Sequence, residues 1–411
     1  MHIDQPLSNK TIFNKDESYL AKAVWERLDP DGWPLSFDQL PLGSALVGGA
    51  VRDSLLKRLG KRPDIDFVVP ENAIKLAKKL ASSLGATCVV LDAERDIARL
   101  IYKGWSFDLA KQIGNSLEED LWKRDFTLNA IALTFGPNPK LVDPTGGIAD
   151  LQQKRLVAVS EKNLVVDPLR CLRGLRLMVE LDLLLDHQTR IFINTYSSLL
   201  QKVAPERIQS ELNRIVCIEN AEDAIFLLRE TNILEPWSNP CDEAASIALN
   251  ANAFTPSELT LALPLARLTN LLSDCGLIQL RFSRRICQRC RLLRKWRKCN
   301  DGNAFRTLSE ENLLQLHQDL ENDLPALILD LSLNDQKVWL NRWRDLQDPL
   351  FHPSCPVDGN ILQEFLGVSG GPQLGALIQH LSHERAFGRL INLDQTFKEA
   401  REWWQHNSTT M

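Results

Sequence analysis

The chain has 411 residues, of which 44% are apolar, so it can bury a large core, and its length favours about two to four domains. Residues 1–17 lack a basic segment followed by an apolar one, and no apolar run is long enough to span a membrane, so we expect neither a secretory signal nor a membrane partner. The net charge of −5 argues against a uniformly basic surface. Nine cysteines without a disulfide-like spacing indicate a reducing, cytoplasmic location.

The N-terminal third has the pattern of an α+β fold with a mixed sheet. Residues 1–42 form an extension in which Ser18 to Leu28 have helical spacing, ended by an Asp-Pro-Asp-Gly turn signal. Beyond it, short apolar runs alternate with a helical segment. The predicted strands cover 45–47, 65–69, 86–91, 98–102 and 105–109, and the predicted helix covers 71–84.

After about residue 145 the strand signal almost disappears, and helical apolar spacing continues to the end of the chain. Turns are predicted near Pro240, at 300–302 and at 349–356. We therefore expect an N-terminal α/β head followed by an all-α body. The clearest predicted helices cover 167–181, 186–203, 205–218 and 221–230.

Asp64 and Asp66 flank Ile65 at the start of a predicted strand. Because alternate side chains of a strand share a face, both carboxylates are predicted to point the same way while Ile65 enters the core. Two neighbouring carboxylates repel each other unless a cation neutralises them, which favours a site for hard divalent ions such as Mg²⁺. Asp108, on another predicted strand, is a candidate third catalytic carboxylate. Solvated acids at a strand edge are the alternative interpretation.

A glycine turn precedes the carboxylate pair by about a dozen residues. A strand that ends in Gly48-Gly49 and leads into a helix lets the backbone approach a phosphate closely, and Arg52 adds positive charge. Alone, two glycines more often mark only a turn. Together with a metal-binding carboxylate pair, they supply the held triphosphate and the metals that nucleotidyl transfer requires.

The order of these motifs resembles that of class II tRNA nucleotidyltransferases and bacterial poly(A) polymerases. Five segments match the family in sequence order and together cover roughly residues 44–215. They are Gly48 to Asp53 with Asp64 to Asp66, Lys123 to Ala130, Asp143 to Leu151, Asp167 to Arg176, and Pro205 to Leu212.

The resemblance implies a fold, a reaction and partners. It implies an N-terminal extension (1–42), a catalytic head (43–145), and a helical neck (146–230), body (231–345) and tail (346–411). It also implies two Mg²⁺ ions held by Asp64 and Asp66, and transfer from CTP, and ATP in complete CCA addition, to the 3′ end of tRNA. The tail would bind the acceptor and T arm. Arg124 of the second motif would contact the nucleotide.

The segment from Asp167 to Arg176 looks like the family's base-selecting helix. Asp167, Arg170, Arg173 and Arg176 recur every three residues and form a slanting stripe. Cytosine and adenine both present an amine donor beside a ring-nitrogen acceptor, so Asp167 can accept from the amine while Arg170 donates to the ring. This pair would favour C and A over U and G. A structural stripe of ion pairs is the alternative interpretation.

Two departures from the family pattern concern the nucleotides that are added. Val166 stands where the family usually has an acid. The segment from Asp108 to Arg124 is short, whereas enzymes that add complete C-C-A usually carry a longer flexible loop there. The short segment resembles that of enzymes that add only C-C and leave the terminal A to a separate A-adding enzyme. A poly(A) polymerase and a catalytically silent RNA-binding protein on the same fold are the alternatives.

Three further patterns lie outside these motifs. Between Arg281 and Lys298 there are nine Lys or Arg and no acid, which fits either a tRNA contact or a solvated basic face. Cys287 and Cys290 form a single Cys-x-x-Cys pair without the matching second pair that zinc sites usually have, so a basic helix is the favoured interpretation over zinc. His380 and His383, three residues apart on a predicted helix, likewise form a single pair.

Overall fold

The computed structural model describes residues 16–136, 138–238, 251–300 and 302–408. The chain separates into two compact units: Met1–Arg207 with Phe226–Ile233, and Ile208–Ile225 with Leu234–Met411. This division is coarser than the predicted one into five parts, whose boundaries stay a prediction. The first 15 residues of the predicted extension and the predicted turn near Pro240 lie outside the described residues.

A mixed sheet lies in the first unit and confirms the predicted α+β class. Its strands are β1 (Ala45–Val47), β2 (Ile65–Val69), β3 (Thr87–Asp92), β4 (Ile97–Tyr102), β5 (Trp105–Lys111), β6 (Ala132–Thr134) and β7 (Leu141–Val142). They form one seven-stranded sheet in the order β3-β4-β5-β2-β1-β6-β7. β2 and β5 run parallel, and the other neighbours run antiparallel. The apolar β1 is wholly buried, as expected for a strand near the centre of a sheet.

The helices of the first unit include α1, which begins where the Asp16 carboxylate accepts from the Tyr19 amide. A small parallel pair, β8 (Arg155–Leu156) with β9 (Leu184–Leu185), lies among them. The predicted helix 186–203 is α-helical only as far as Tyr196 and tightens into a 3-10 helix over Ser197–Lys202. The α-helices are α1 (Glu17–Leu28), α2 (Gly49–Leu55), α3 (Ala73–Leu84), α4 (Leu117–Leu121), α5 (Gly147–Gln152), α6 (Glu161–Val166), α7 (Leu169–Glu180) and α8 (His187–Tyr196).

The start of α3 differs from the prediction. The sequence predicts a helix from residue 71, but Asn72 adopts a left-handed conformation and α3 begins at Ala73. The Asp96 carboxylate, more than twenty residues later in the chain, accepts from the amides of Ala73 and Ile74 at 3.0 and 2.8 Å. The capping group therefore comes from a distant segment, whereas the sequence signals for a helix start lie within a few residues of it.

The described residues beyond α8 are helical, as predicted, and the short pair β8–β9 is an exception within the region predicted to be all-α. Arg267 of α11 is 2% exposed and donates to the backbone carbonyls of Val216, Ile218 and Glu219, at and just after the end of α9. Each helix in the described ranges is too short or too polar to span a lipid bilayer. The helices are α9 (Pro205–Cys217), α10 (Glu222–Glu230), α11 (Pro256–Leu271), α12 (Asp274–Gln279), α13 (Arg284–Lys298), α14 (Glu310–Leu320), α15 (Leu324–Ile328), α16 (Leu333–Arg344), α17 (Gly359–Leu366), α18 (Pro372–Ala386) and α19 (Leu393–Ser408).

Candidate active site

Two of the predicted carboxylates, Asp66 and Asp108, lie on one face of the sheet. Asp66 on β2 lies directly opposite Asp108 on the parallel strand β5. Ile65 and Phe67, which alternate with Asp66 along β2, are 0% and 1% exposed and pack into the core. Asp64 immediately precedes β2 and is exposed. The strand alternation thus separates the polar face from the apolar face as the sequence predicts.

The charge of Asp66 is poorly stabilised by the protein. Burial raises the pKa of this carboxyl to about 6, the neighbouring carboxylates of Asp108 and Asp64 push it the same way, and Arg124 and Arg173 oppose them. A partly buried carboxylate crowded by two others favours a bound cation, and hard oxygen ligands suit Mg²⁺. Asp64 and Asp66 therefore fit two of the ligands of the magnesium that the sequence motifs imply.

Asp108 already has a cationic partner. Arg99 on β4 lies opposite Asp108 in the antiparallel β4–β5 register. Its Nε and Nη2 atoms donate to the two Asp108 oxygens at 2.7 and 2.8 Å, which makes a bidentate pair. Sequence reasoning missed Arg99, because only the strand register places it beside Asp108.

The glycine turn packs against the same carboxylates. Gly48 has a φ of 75° and a ψ of −133°, which side-chain-bearing residues avoid. A Cβ atom at this position would lie 3.5 Å from Asp66 Oδ2 and 3.6 Å from Arg124 Nη1. The Gly48 amide donates to the Ile131 carbonyl at 3.3 Å, and Gly49 begins α2. Three motifs distant in sequence therefore meet at Gly48, Asp66 and Arg124.

Arg124 is oriented by an acid that sequence reasoning did not single out. Asp120, 4% exposed, accepts from Arg124 Nη2 at 3.0 Å and from the amide of Ile113. The i, i+4 spacing of an acid and an arginine was the signal available in the sequence. The ion pair with Asp120 holds the Arg124 guanidinium next to the glycine turn. The contact between Arg124 and a nucleotide stays a prediction.

Arg52 and Arg173 lie at the two ends of a buried polar network. Arg52, 7% exposed, donates from Nη1 to Asn129 Oδ1 at 2.7 Å and from Nε to Asp53. The Asn129 amide donates to Asp125 Oδ1 at 3.1 Å, and Arg173 Nε donates to Asp125 Oδ2 at 3.0 Å. The network ties α2 to α7. Nucleotide contacts by Arg52 and Arg173 stay predictions.

The remaining members of the predicted stripe have different surroundings. Asp167 accepts from Arg207 at 2.9 Å, and Arg170 donates to the carbonyls of Lys123 and Asn163 at 2.9 and 3.3 Å. Arg176 is 7% exposed and pairs with Glu180 on the same helix. A stripe that advances by three residues rotates steadily around a helix, so its last member turns towards the interior. Base selection by Asp167 and Arg170, and any role of Arg176, stay predictions.

The short segment after Asp108 is tied down by hydrogen bonds. The Gln112 amide donates to the Val69 carbonyl at 2.8 Å, and the Ile113 amide donates to Asp120 at 3.0 Å. Gly114 adopts a φ of 91°, and the Ser116 hydroxyl caps α4. The chain therefore passes from β5 into α4 through a compact turn.

The basic stretch Arg281 to Lys298 forms α13 and the turn before it, and many of its cations are neutralised locally. Five of them pair with acids of the second unit, so a solvated basic face describes the stretch only in part. A tRNA contact by the exposed remainder stays a prediction. The pairs are Arg289 with Asp323, Arg291 and Arg294 with Asp274, Lys295 with Asp319, and Arg297 with Asp330.

The cysteine and histidine pairs that weakly suggested zinc are engaged in contacts within the protein. Cys287 contacts the Phe282 carbonyl, and Cys290 is buried. The His380 ring contacts Glu399, and the His383 ring contacts Glu384. In the described part of the chain, no three His, Cys, Asp or Glu side chains form a group that could hold a metal.

Comparisons with known proteins identify the class of the fold and then the family. The description "Poly A polymerase head domain" matches residues 44–157, and "Probable RNA and SrmB- binding site of polymerase A" matches residues 182–238. A CC-adding tRNA nucleotidyltransferase of Synechocystis is 30% identical over 400 residues, which cover 90% of this chain and 95% of the relative. The chain belongs to the tRNA nucleotidyltransferase family.

Further relatives agree with that assignment, and a solved structure shares the fold. A CC-adding enzyme of Geobacter sulfurreducens is 40% identical over 181 residues, which cover 44% of this chain and 41% of the relative. Relatives that cover 47% and 46% of this chain have the names A-adding tRNA nucleotidyltransferase and CCA-adding enzyme. The Thermotoga maritima CCA-adding enzyme complexed with tRNA has a TM-score of 0.74 at 20% identity and covers 93% of this chain and 98% of its own. This likeness shows a shared fold.

Proposed function

We propose that this enzyme adds C-C to the 3′ end of tRNA from CTP without a nucleic-acid template. The observation that carries the proposal is the meeting of Gly48, Asp66 and Arg124, within a chain that matches a CC-adding enzyme along 90% of its length. The glycine turn lets the backbone approach a triphosphate closely, and Arg124 places positive charge beside it. Because tRNA is the substrate, we also propose a cytoplasmic location.

Asp64 and Asp66 are the residues that would hold Mg²⁺. When bound, the metal ions would activate the 3′-hydroxyl of the RNA and stabilise the leaving pyrophosphate. The sheet fixes Asp66 beside Asp108 and keeps Ile65 and Phe67 in the core, so the carboxylate face is rigid. Rigid carboxylates hold the reacting groups in place at little entropic cost.

Asp167 and Arg170 are proposed to select the base. Asp167 would accept from the amine of cytosine or adenine, and Arg170 would donate to the ring nitrogen. Arg207 pairs with Asp167, and Arg170 donates to the Lys123 carbonyl. These contacts hold both side chains in place at the start of α7. The helical tail, 346–411, is proposed to bind the acceptor and T arm.

The compact turn after β5 supports C-C addition. Hydrogen bonds from the Gln112 and Ile113 amides, and one that the Ser116 hydroxyl accepts from the Glu119 amide, fix this turn, so it provides no long flexible loop. The resemblance links such a loop to the switch from C to A. A separate A-adding enzyme would then complete the tRNA with ATP.

The test is incorporation of single labelled nucleotides into tRNA that ends at the discriminator base. Extension by two cytidines with CTP, and no further extension when ATP is added, supports the proposal. Complete C-C-A contradicts the C-C restriction, and long A-tails identify a poly(A) polymerase. Absence of pyrophosphate release with all four nucleotides identifies a silent RNA-binding protein.

The metal assignment has its own variants. Asp64→Ala should abolish incorporation while tRNA binding, measured by a gel-shift assay, stays nearly unchanged. Asp182→Ala is the matched control, because this carboxylate is 89% exposed and pairs only at the surface with Lys154. Unchanged incorporation by the Asp64→Ala enzyme would remove the metal assignment.

A further inference from the structure

Three neighbouring strands place two acids and one arginine in a single row. Asp66 on β2 is opposite Asp108 on β5, and Asp108 is opposite Arg99 on β4. Side chains directly opposite each other in a sheet project from the same face. The Arg99 side chain is therefore part of the same polar surface as the proposed metal ligands, on the far side of Asp108.

The Arg99 fork occupies both oxygens of Asp108. The two donor–acceptor distances, 2.7 and 2.8 Å, are those of a charge-assisted bidentate pair. Only 22% of the Asp108 side chain is exposed, so water competes weakly for these oxygens. Each oxygen keeps a second lone pair, but the arginine cation offsets the carboxylate charge, so Asp108 is a weaker ligand for a metal ion than an unpaired carboxylate.

Among the residues that the structure describes, Asp64 and Asp66 lack such a partner. Across the described ranges, the ion pair among Asp64, Asp66 and Asp108 is the one between Asp108 and Arg99. Asp64 and Asp66, both described, do not form a three-ligand group with Asp108. The protein thus offers two carboxylates to a cation and keeps the third neutralised.

We propose that Arg99 is a positioning residue that withholds Asp108 from the divalent cation. Asp64 and Asp66 are then the carboxylates that this face offers the metal, and the nucleotide triphosphate supplies the remaining negative oxygen ligands. Without nucleotide, cation binding is weak, so metal and nucleotide bind together. This inference rests on the proposed function, because it assumes that Asp64 and Asp66 hold the metal.

The probe is Mn²⁺, titrated into the full chain without nucleotide, with free Mn²⁺ measured by electron paramagnetic resonance. Asp108→Asn removes a negative charge near the site but no ligand, so it should weaken Mn²⁺ binding by no more than about twofold. Arg99→Met should tighten Mn²⁺ binding by about tenfold, because it frees a third carboxylate and removes a positive charge near the site. Combining Arg99→Met with Asp108→Asn should cancel that gain.

Two further variants serve as controls. Arg155→Met removes another arginine–aspartate pair of the first unit and should leave Mn²⁺ binding unchanged. In this pair Arg155 Nη2 donates to Asp186 at 2.8 Å, in the region of the separate β8–β9 sheet. Arg99→Lys keeps the charge without the planar fork and should give an intermediate affinity.

The outcomes separate the inference from the proposed function. If Asp66→Asn leaves Mn²⁺ binding unchanged, the metal assignment fails and this inference fails with it. If Asp66→Asn abolishes binding and Asp108→Asn weakens it about tenfold, the metal site stands and the role of Arg99 is overturned. Asp108→Asn is nearly isosteric, so it decides this point even if Arg99→Met does not fold.

Discussion

Replacing Asp125 by Asn should destabilise the first unit, because Asp125 is the centre of the network that joins α2 to α7. The carboxylate is 7% exposed and accepts from the Phe126 amide at 2.8 Å, from Asn129 at 3.1 Å and from Arg173 at 3.0 Å. Asparagine keeps the shape of the side chain but loses the charge and one acceptor oxygen. Arg173 then faces an amide in place of a carboxylate.

The size of the effect follows from the pKa of Asp125. Burial by itself would raise this pKa, but the cations of Arg173 and Arg170 and the hydrogen bonds from Asn129 and the Phe126 amide outweigh it, and the pKa falls from 3.8 to about 2. Since the folded-state value is the lower one, the stabilisation is complete above about pH 4 and is lost as the pH falls towards about 2. At about 1.4 kcal/mol per pKa unit, the ionised carboxylate contributes about 2.5 kcal/mol.

Calorimetry can measure this loss. At neutral pH, Asp125→Asn should lower the melting temperature of the first unit by roughly 5 to 10 °C, and the difference should shrink below about pH 4. A double-mutant cycle with Arg173→Met should give a coupling of about 1 kcal/mol or more, since the Arg173 side chain is 36% exposed and partly screened. Asp182→Asn is the exposed control. A melting temperature within about a degree of the original would refute the reasoning.

Three other substitutions test single features of the fold. His317 is buried, and burial and the Arg342 cation lower its pKa to about 3. The free energy of unfolding, which is highest above about pH 6.5, should therefore fall by about 2 kcal/mol at pH 5. His317→Phe should remove this acid sensitivity, and equal sensitivity of the variant would contradict the lowered pKa of His317. Gly147→Ala would place a Cβ 2.1 Å from the Thr127 carbonyl oxygen and should cost about 2 kcal/mol or more in thermal melts, whereas Gly375→Ala, with open space, should not. Arg267→Met should lower the urea midpoint of unfolding by an amount equivalent to about 3 kcal/mol. The substitution leaves buried carbonyls at the end of α9 without their hydrogen-bond donor. An unchanged midpoint would show that water replaces the guanidinium as donor.

The local pattern of the sequence predicted much of the fold. Period-two alternation predicted β2 and predicted that Asp66 and Ile65 point to opposite faces of the sheet. The structure has the same arrangement. Helical spacing predicted the long α-helical part of the chain. These features depend on residues a few positions apart, which is the range over which strand and helix geometry repeat. The motif order carried the family assignment, which the relatives of similar length confirm.

Contacts between distant segments were beyond the reach of the sequence. Asp96, in the turn between β3 and β4, caps the first residues of α3. The cations of α13 form ion pairs with acids on α12 and on segments that follow α13. Arg99 is the clearest case, because a one-residue change in the β4–β5 register would turn it to the other face. The sequence by itself determined which residue types occur in each motif and the element on which each lies. Only the tertiary structure decided which of those side chains are already paired, because pairing depends on the register and packing of segments that are far apart in the chain.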